Sequence, residues 1–317
     1  MKSKNKKTQS KRRFLKITLS VLLTISWFIL SYGTYLVLSV GNAITGAYFE
    51  IEYDDLENLR EDAPLNFGEE SFSLLILGIE RDDLETAGYA DAIMLMTVNP
   101  EKESTIILTL TRDMWVDFTG HGIYYNHLGF RYTIGGASAV VDTVQRILDL
   151  PVDYVVVIDM TGFPLLIDEA GGITVDNHLE FSHGGYHFPI GRVDLHGSKA
   201  LSYARMRLDD PDSDFGRQER QRAVAEATLR SLAQPRIALA RHNEIINILG
   251  DSVQTNLEPA DLTTIFRDYR NALVGDIELL QLRGTSIFIN DVYTHHVPDE
   301  VIFEMSEELR RHLGLEE

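Results

Sequence analysis

Apolar positions in this chain come in short blocks separated by turn residues, and their period changes from block to block. FSLLILGIE (72–80), DAIMLMTVN (91–99) and STIILTLTRD (104–113) are compact apolar runs, the last two split by Pro100-Glu101-Lys102-Glu103. Runs of this length, bounded by turn residues, predict buried strands, and the tight link makes two of them neighbours. From Gly136 to Leu148 the spacing shifts. Ala137, Val140, Val141, Val144, Ile147 and Leu148 recur near every 3.6 residues, as on one face of a helix. VDYVVVIDM (152–160) returns to a strand, and TGFPLLIDEAGG (161–172) predicts a short helix ended by its glycine pair.

A further strand begins at GITVDN, and the His- and Gly-rich stretch 178–195 reads as a loop. SKALSYARM (198–206) is helical in pattern, and QERQRAVAEATLRSLAQ (218–234) is a long helix ended near Pro235. Helices also fit 236–249 and 259–273; IELLQLRG and a final helix at 298–314 complete the chain. Strands alternating with helices predict an α/β fold, a three-layer α-β-α sandwich whose central mixed sheet is covered on both faces. With no internal repeat, one domain is expected over 71–317.

The N-terminal part follows another rule. Residues 2–16 carry eight cationic side chains and no acid, and ITLSVLLTISWFILSYGTYLVLSV (17–40) carries no charge at all. As a helix, that run spans about 36 Å, enough to cross a bilayer with some tilt. A cleavable signal peptide has a shorter apolar region, about 7–15 residues, so the run predicts one uncleaved transmembrane helix. The expected map is a cytoplasmic basic tail (1–16), an anchor (17–40), an acidic juxtamembrane linker (41–70) and an extracellular domain, oriented by the positive-inside rule.

Charge then narrows the partners. The chain carries a formal −19; without the eight tail cations, 21 basic residues face 48 acids, about −27. Such a surface repels nucleic acid. The absence of cysteine leaves an exported domain dependent on its core.

Candidate chemistry gathers where the strands end, as sites do in α/β sheets. Glu80-Arg81-Asp82-Asp83 follows the first strand, Asp91 opens the second and Thr111-Arg112-Asp113 ends the third. A fourth cluster is RMRLDDPDSDFGRQERQ (205–221). Arg205 and Arg207 share a face if the backbone there is extended, and Arg217 and Gln221 share a helical face. Arg217 falls in a first helical turn, where free N–H groups favour an anion, and arginine suits bidentate phosphate binding. Spacing alone leaves two readings open: a diphosphate clamp that includes Arg112, or a surface salt-bridge network with Asp209, Asp210, Asp212 and Asp214. His178, His183, His187 and His196, like His295-His296, lack ligand spacing and read as solvated loop positions. Gly135-Gly136 reads as a helix entry, since no G-K-[ST] follows.

Several motifs together are more specific. LLILGIE, YADAIMLMTVNP, ILTLTRDMWVDF, LDLPVDYVVVIDMTGFPLLIDEAGGITVDN and LHGSKALSYARMRLDDPDSDFGRQERQ, in that order, resemble the LytR-CpsA-Psr family over about residues 72–233. The most distinctive part is R-x-R followed by D-F-G-R-x-x-R-Q. The resemblance implies a membrane-anchored phosphotransferase of Gram-positive envelopes. Such enzymes move a glycopolymer, wall teichoic acid, capsule or similar, from a polyprenyl-diphosphate carrier to a peptidoglycan hydroxyl with help from Mg²⁺. It implies Asp91 as a metal ligand, with Glu80 where the family usually has aspartate. Arg112, Arg205, Arg207, Arg217 and Gln221 become the diphosphate site, the first three acting with Asp91 in catalysis. The family's Arg-Ser-Asp-Thr is here Tyr89-Ala90-Asp91-Ala92, which costs one arginine and leaves Arg81 or Arg131 as substitutes. A polyprenyl-diphosphate phosphatase and a non-catalytic lipid-binding or regulatory envelope protein are the alternatives.

Overall fold

The computed structural model describes residues 65–80, 88–117, 125–160, 162–232, 234 and 252–315. The apolar run 17–40 and the helix expected at 236–249 lie outside them. Among the described residues no helix is long and apolar enough to cross a membrane.

In chain order the strands and helices begin with β1 (Phe72–Glu80), β2 (Tyr89–Asn99), β3 (Ser104–Leu110), β4 (Trp115–Asp117), β5 (Tyr125–His127), α1 (Arg131–Leu148), β6 (Tyr154–Asp159) and α2 (Phe163–Glu169). Then come β7 (Ile173–Asn177), β8 (Phe181–His183), β9 (Tyr186–Phe188), β10 (Gly191–Leu195), α3 (Gly197–Arg205) and α4 (Asp214–Leu232). The last are β11 (Val253–Thr255), α5 (Pro259–Asp268), α6 (Arg270–Val274), β12 (Asp276–Gln281), β13 (Thr285–Ile289), β14 (Val292–His296) and α7 (Asp299–Leu313).

Six strands form the central sheet in the order β11-β6-β1-β2-β3-β12. It is mixed. β1–β6 and β3–β12 run parallel, and β1–β2, β2–β3 and β6–β11 antiparallel. Both faces are covered, which is why the strands read as nearly continuous apolar runs. On one face Leu75, Leu77, Ile93, Leu95, Leu108 and Leu110 meet Val140, Val141 and Val144 of α1 and Leu309 and Leu313 of α7. On the other, Leu74, Met94, Met96 and Ile107 meet Ile265, Tyr269, Ala272 and Leu273. Each fully buried aliphatic side chain contributes about 1.5–3 kcal/mol through burial.

Several expectations need correcting. The stretch 178–195 is not a plain loop: Gly184-Gly185, both at positive φ, turn β8 back onto β9, and β10 pairs with β7. The helix expected over 259–273 breaks at Tyr269, whose buried ring closes the second core while its hydroxyl donates to the Glu70 carbonyl (2.6 Å) and accepts from Gly68 N–H (2.9 Å). Leu65 and Phe67 pack against that same core, so part of the stretch assigned to the linker is packed. Helix α1 starts before Gly136, and Gly135-Gly136 is a kink within it. The β13–β14 hairpin, turned by Asn290-Asp291 at positive φ, had no sequence expectation.

Candidate active site

A β-bulge begins the site. The β1–β2 register shifts between Gly78, opposite Ala92, and Ile79, opposite Ala90, which leaves Asp91 unopposed. Bulges re-aim side chains at strand ends. Here the Asp91 carboxylate accepts a hydrogen bond from the Arg112 guanidinium, which follows β3. Arg112 also lies 3.6 Å from Asp113 and stacks 5.8 Å above the Tyr89 ring. Burial alone would lower the Arg112 pKa, but Asp91 and Asp113 reverse that and raise it. The same burial, with Asp113, pushes the Tyr89 phenol well above its usual range. Gly129 makes this packing possible. Its N–H donates to the Arg112 carbonyl at 2.8 Å, and a Cβ there would sit 2.3 Å from the Tyr89 ring.

The second half is built at the end of α3. Arg205 closes that helix and Met206 is extended (φ −59, ψ 133), so the local conformation required of R-x-R is met just beyond the helix. Met206 is buried with Tyr203 and Phe181, which turns its two arginine neighbours outward. Arg220 fixes the turn: its guanidinium donates to the Met206 carbonyl, pairs with Asp210 and lies 5.2 Å over Phe181. Gly216 lets Asp210 approach, since a Cβ there would be 2.0 Å from the carboxylate. Arg220 and Asp210 therefore follow the salt-bridge reading of this stretch.

Asp214 follows it too, but its partners are two of the clamp arginines. At the start of α4 its buried carboxylate lies 2.7 Å from Arg217 Nη2 and 3.7 Å from Arg207 Nε. It accepts hydrogen bonds from Gln218 Nε2 (2.8 Å) and Thr111 Oγ1 (3.4 Å), the latter tying α4 to the end of β3. Gln218 is held in turn by Gln281 of β12 at 2.8 Å. Burial lowers the Arg217 pKa, opposed by Asp214 and reinforced by the nearby Arg112 and Arg207. Glu80 and Arg205 pair at 2.5 Å on the exposed rim. Gln221 sits one turn beyond Arg217, its Oε1 buried without a hydrogen-bond partner.

Asp91, Arg112, Arg207 and Arg217 thus gather at one end of the sheet with Asp113 and Asp214, and Glu80 and Arg205 pair at the rim. Gln218 is added, and among the described residues Gln221 makes no hydrogen bond to the others. Asp214 had a signal in its place three residues before Arg217. Gln218 and Gln281 had none, because their pairing joins residues far apart in sequence. The substitute arginines fare differently. Arg81 lies outside the described residues. Arg131, the first residue of α1, is buried and folds back along its own helix, bonding Ala139 O and Thr143 Oγ1 and pairing with Asp142, so it does not replace the arginine missing at Tyr89. His295 is not a solvated loop position: it is buried, its Nε2 accepts from Gly284 N–H (3.0 Å), and burial lowers its pKa. With Phe215 and Tyr293 it lines a small cavity of about 110 Å³ beside Asp214.

The arrangement suits a polyanion. Each guanidinium has five N–H donors in a planar fork, and the carboxylates engage only some of them. Nε of Arg112 and of Arg217 is buried without a hydrogen-bond partner. Among the described residues no group of three or more His, Cys, Asp or Glu side chains forms a metal cage. The two carboxylates that a cation could share with phosphate oxygens, Asp91 and Glu80, are here engaged by Arg112 and Arg205.

A sequence model of the LytR_cpsA_psr family matches residues 44–311. The chain belongs to this family. A Halalkalibacterium halodurans protein named polyisoprenyl-teichoic acid–peptidoglycan teichoic acid transferase TagU is 36% identical over 93% of this chain and 96% of its own. A solved Enterococcus faecalis structure described as a transcriptional regulator is 34% identical, with a TM-score of 0.70 over 78% of this chain and 90% of that one. The structure of TagT bound to LI-WTA is 26% identical, with a TM-score of 0.70 over 84% and 99%. The mixed sheet with its helices is thus that of LytR-CpsA-Psr proteins, and the motif arginines meet at its strand ends.

Proposed function

We propose that this protein transfers a glycopolymer, a teichoic acid, capsule or related polymer, from a polyprenyl-diphosphate carrier to peptidoglycan through a phosphodiester bond. The observation that carries the reading is the meeting of Arg112, Arg207 and Arg217, with Arg205 at the rim, around Asp91 and Asp214. The similar proteins named as teichoic acid transferases, and the one solved with LI-WTA, support it.

In this reading an acceptor sugar hydroxyl attacks the phosphorus that bears the glycan. The new P–O bond forms as the bond to polyprenyl phosphate breaks, and the hydroxyl proton passes to solvent or a nearby carboxylate. Phosphoryl transfer depends mainly on positioning and electrostatics. Arg112, Arg205, Arg207 and Arg217 neutralise charge developing on the leaving phosphate, and Asp214 keeps two of them aimed. Asp91, with Glu80 as the second carboxylate once it leaves Arg205, would hold Mg²⁺, which supplies further neutralisation of diphosphate oxygens. The run 17–40 anchors the chain with its basic tail in the cytoplasm and the domain outside.

The test uses the full chain in bilayer vesicles with lipid-linked polymer and peptidoglycan. Arg205→Ala and Arg207→Ala should each abolish polymer attachment with little change in melting temperature. EDTA should stop turnover, and Mg²⁺ restore it. Unchanged attachment in both variants would sink the assignment, and release of soluble polymer phosphate and polyprenyl phosphate without linkage would make the protein a hydrolase of the carrier diphosphate.

A further inference from the structure

The β13–β14 hairpin has no part in the chemistry above, yet it is fixed to the site. His295 N–H and Thr294 Oγ1 both donate to the Asp113 carbonyl, at 2.9 and 3.1 Å, next to Arg112. Tyr293 lies beneath Arg207 at 6.0 Å and against Phe288 at 5.8 Å. Its turn, Asn290-Asp291, is polar, but the strands on either side of it carry exposed apolar side chains toward the tip. Phe288 is 72% exposed and Val292 45%, with Ile287 beside them. Leu208, the residue after Arg207, is 95% exposed.

We propose that this tip and Leu208 dip into the lipid surface and seat the arginine site at the headgroup level. The inference rests on the reading of the substrate as lipid-linked and of 17–40 as an anchor. Two features favour a bilayer over a glycan as occupant. The apolar side chains protrude instead of lining a groove, and sugar subsites are concave with convergent polar groups. The rim around these side chains is of mixed charge, with Arg205, Arg207 and the exposed Arg283, 5.4 Å over Phe215, set among the exposed Asp209, Asp212 and Asp291. The bilayer is also within reach, since residues 41–64 span at most about 80 Å. A lipid-borne diphosphate would then meet the arginines without the domain having to travel.

The chain has no cysteine, so single-cysteine variants of the full protein take one spin label each. In vesicles of phosphatidylcholine and phosphatidylglycerol, a label at Val292→Cys should collide more with oxygen than with a water-soluble nickel chelate. A label at Phe303→Cys, exposed on α7, should show the reverse. Aqueous behaviour at both positions overturns the proposal. In turnover, the Leu208→Asp/Phe288→Asp double variant should lose about tenfold or more on substrate embedded in vesicles and keep full rate on a water-soluble short-chain analogue. Equal loss on both would make the patch a glycan or polymer contact and reject the lipid role. Lipid-buried labels in a protein without transferase activity would refute the proposed function and leave the docking standing.

Discussion

Strand β2 begins at Tyr89 and Asp91 beneath Arg112 and ends at Thr97 and Asn99 beneath the last helix, and both ends bury polar side chains. At the far end the groups satisfy one another. The His312 ring meets Thr97 Oγ1 at 2.8 Å and Ser104 Oγ at 3.0 Å, and Asn99 Nδ2 donates to the His312 carbonyl at 2.6 Å. Burial, with Lys102 nearby, pushes the His312 pKa down to about 4, so the cluster stays neutral. At the near end charged groups stand close together, and guanidinium N–H donors remain without hydrogen-bond partners. A fully satisfied polar cluster is a structural device; one that keeps unused donors under partial burial is suited to a ligand.

The largest effect should break the comparison at its near end. Arg112→Ala is expected to lower turnover about 10²–10³-fold, some 3–4 kcal/mol of transition-state stabilisation, with little change in denaturant midpoint. At the far end the response should be to pH and should concern stability. Between about pH 6.5 and pH 4 the unfolded chain takes a proton at His312 that the folded chain refuses. That contribution is therefore complete above pH 6.5 and is lost as pH falls, by about 2 kcal/mol. Urea titrations across this range should show the slope in wild type and its flattening in His312→Gln.

A milder variant sharpens the contrast further. Gln281→Leu leaves Gln218, and through it Asp214, less firmly held. It should cost about 1 kcal/mol, a fall of roughly fivefold in turnover. A loss of stability with unchanged turnover would class Gln281 with the far end instead.

The near end was also the more legible in sequence. Its residues are carried by local motifs: an arginine pair two apart, an aspartate opening a strand, a helix starting at D-F-G-R. The far end left no trace, because Thr97, Ser104 and His312 meet only after β2, β3 and α7 pack. The same reason hid the pairing of Gln218 with Gln281 and the β13–β14 hairpin, whose bond to Asp113 spans most of the domain.

By itself the sequence determined the alternation of strands and helices, the double burial of the sheet and the identity of the motif arginines, because these depend on period and local spacing. Only the tertiary structure divided RMRLDDPDSDFGRQERQ into its two jobs. Arg220 and Asp210 pair to hold the Met206 backbone, and Asp214 pairs with Arg207 and Arg217 beside Thr111 at the end of β3. Charge and spacing are alike in both sets. What separates them is the group each arginine meets after packing: the Met206 carbonyl and Phe181 for Arg220, and the Asp214 carboxylate, tied to the end of β3, for Arg217.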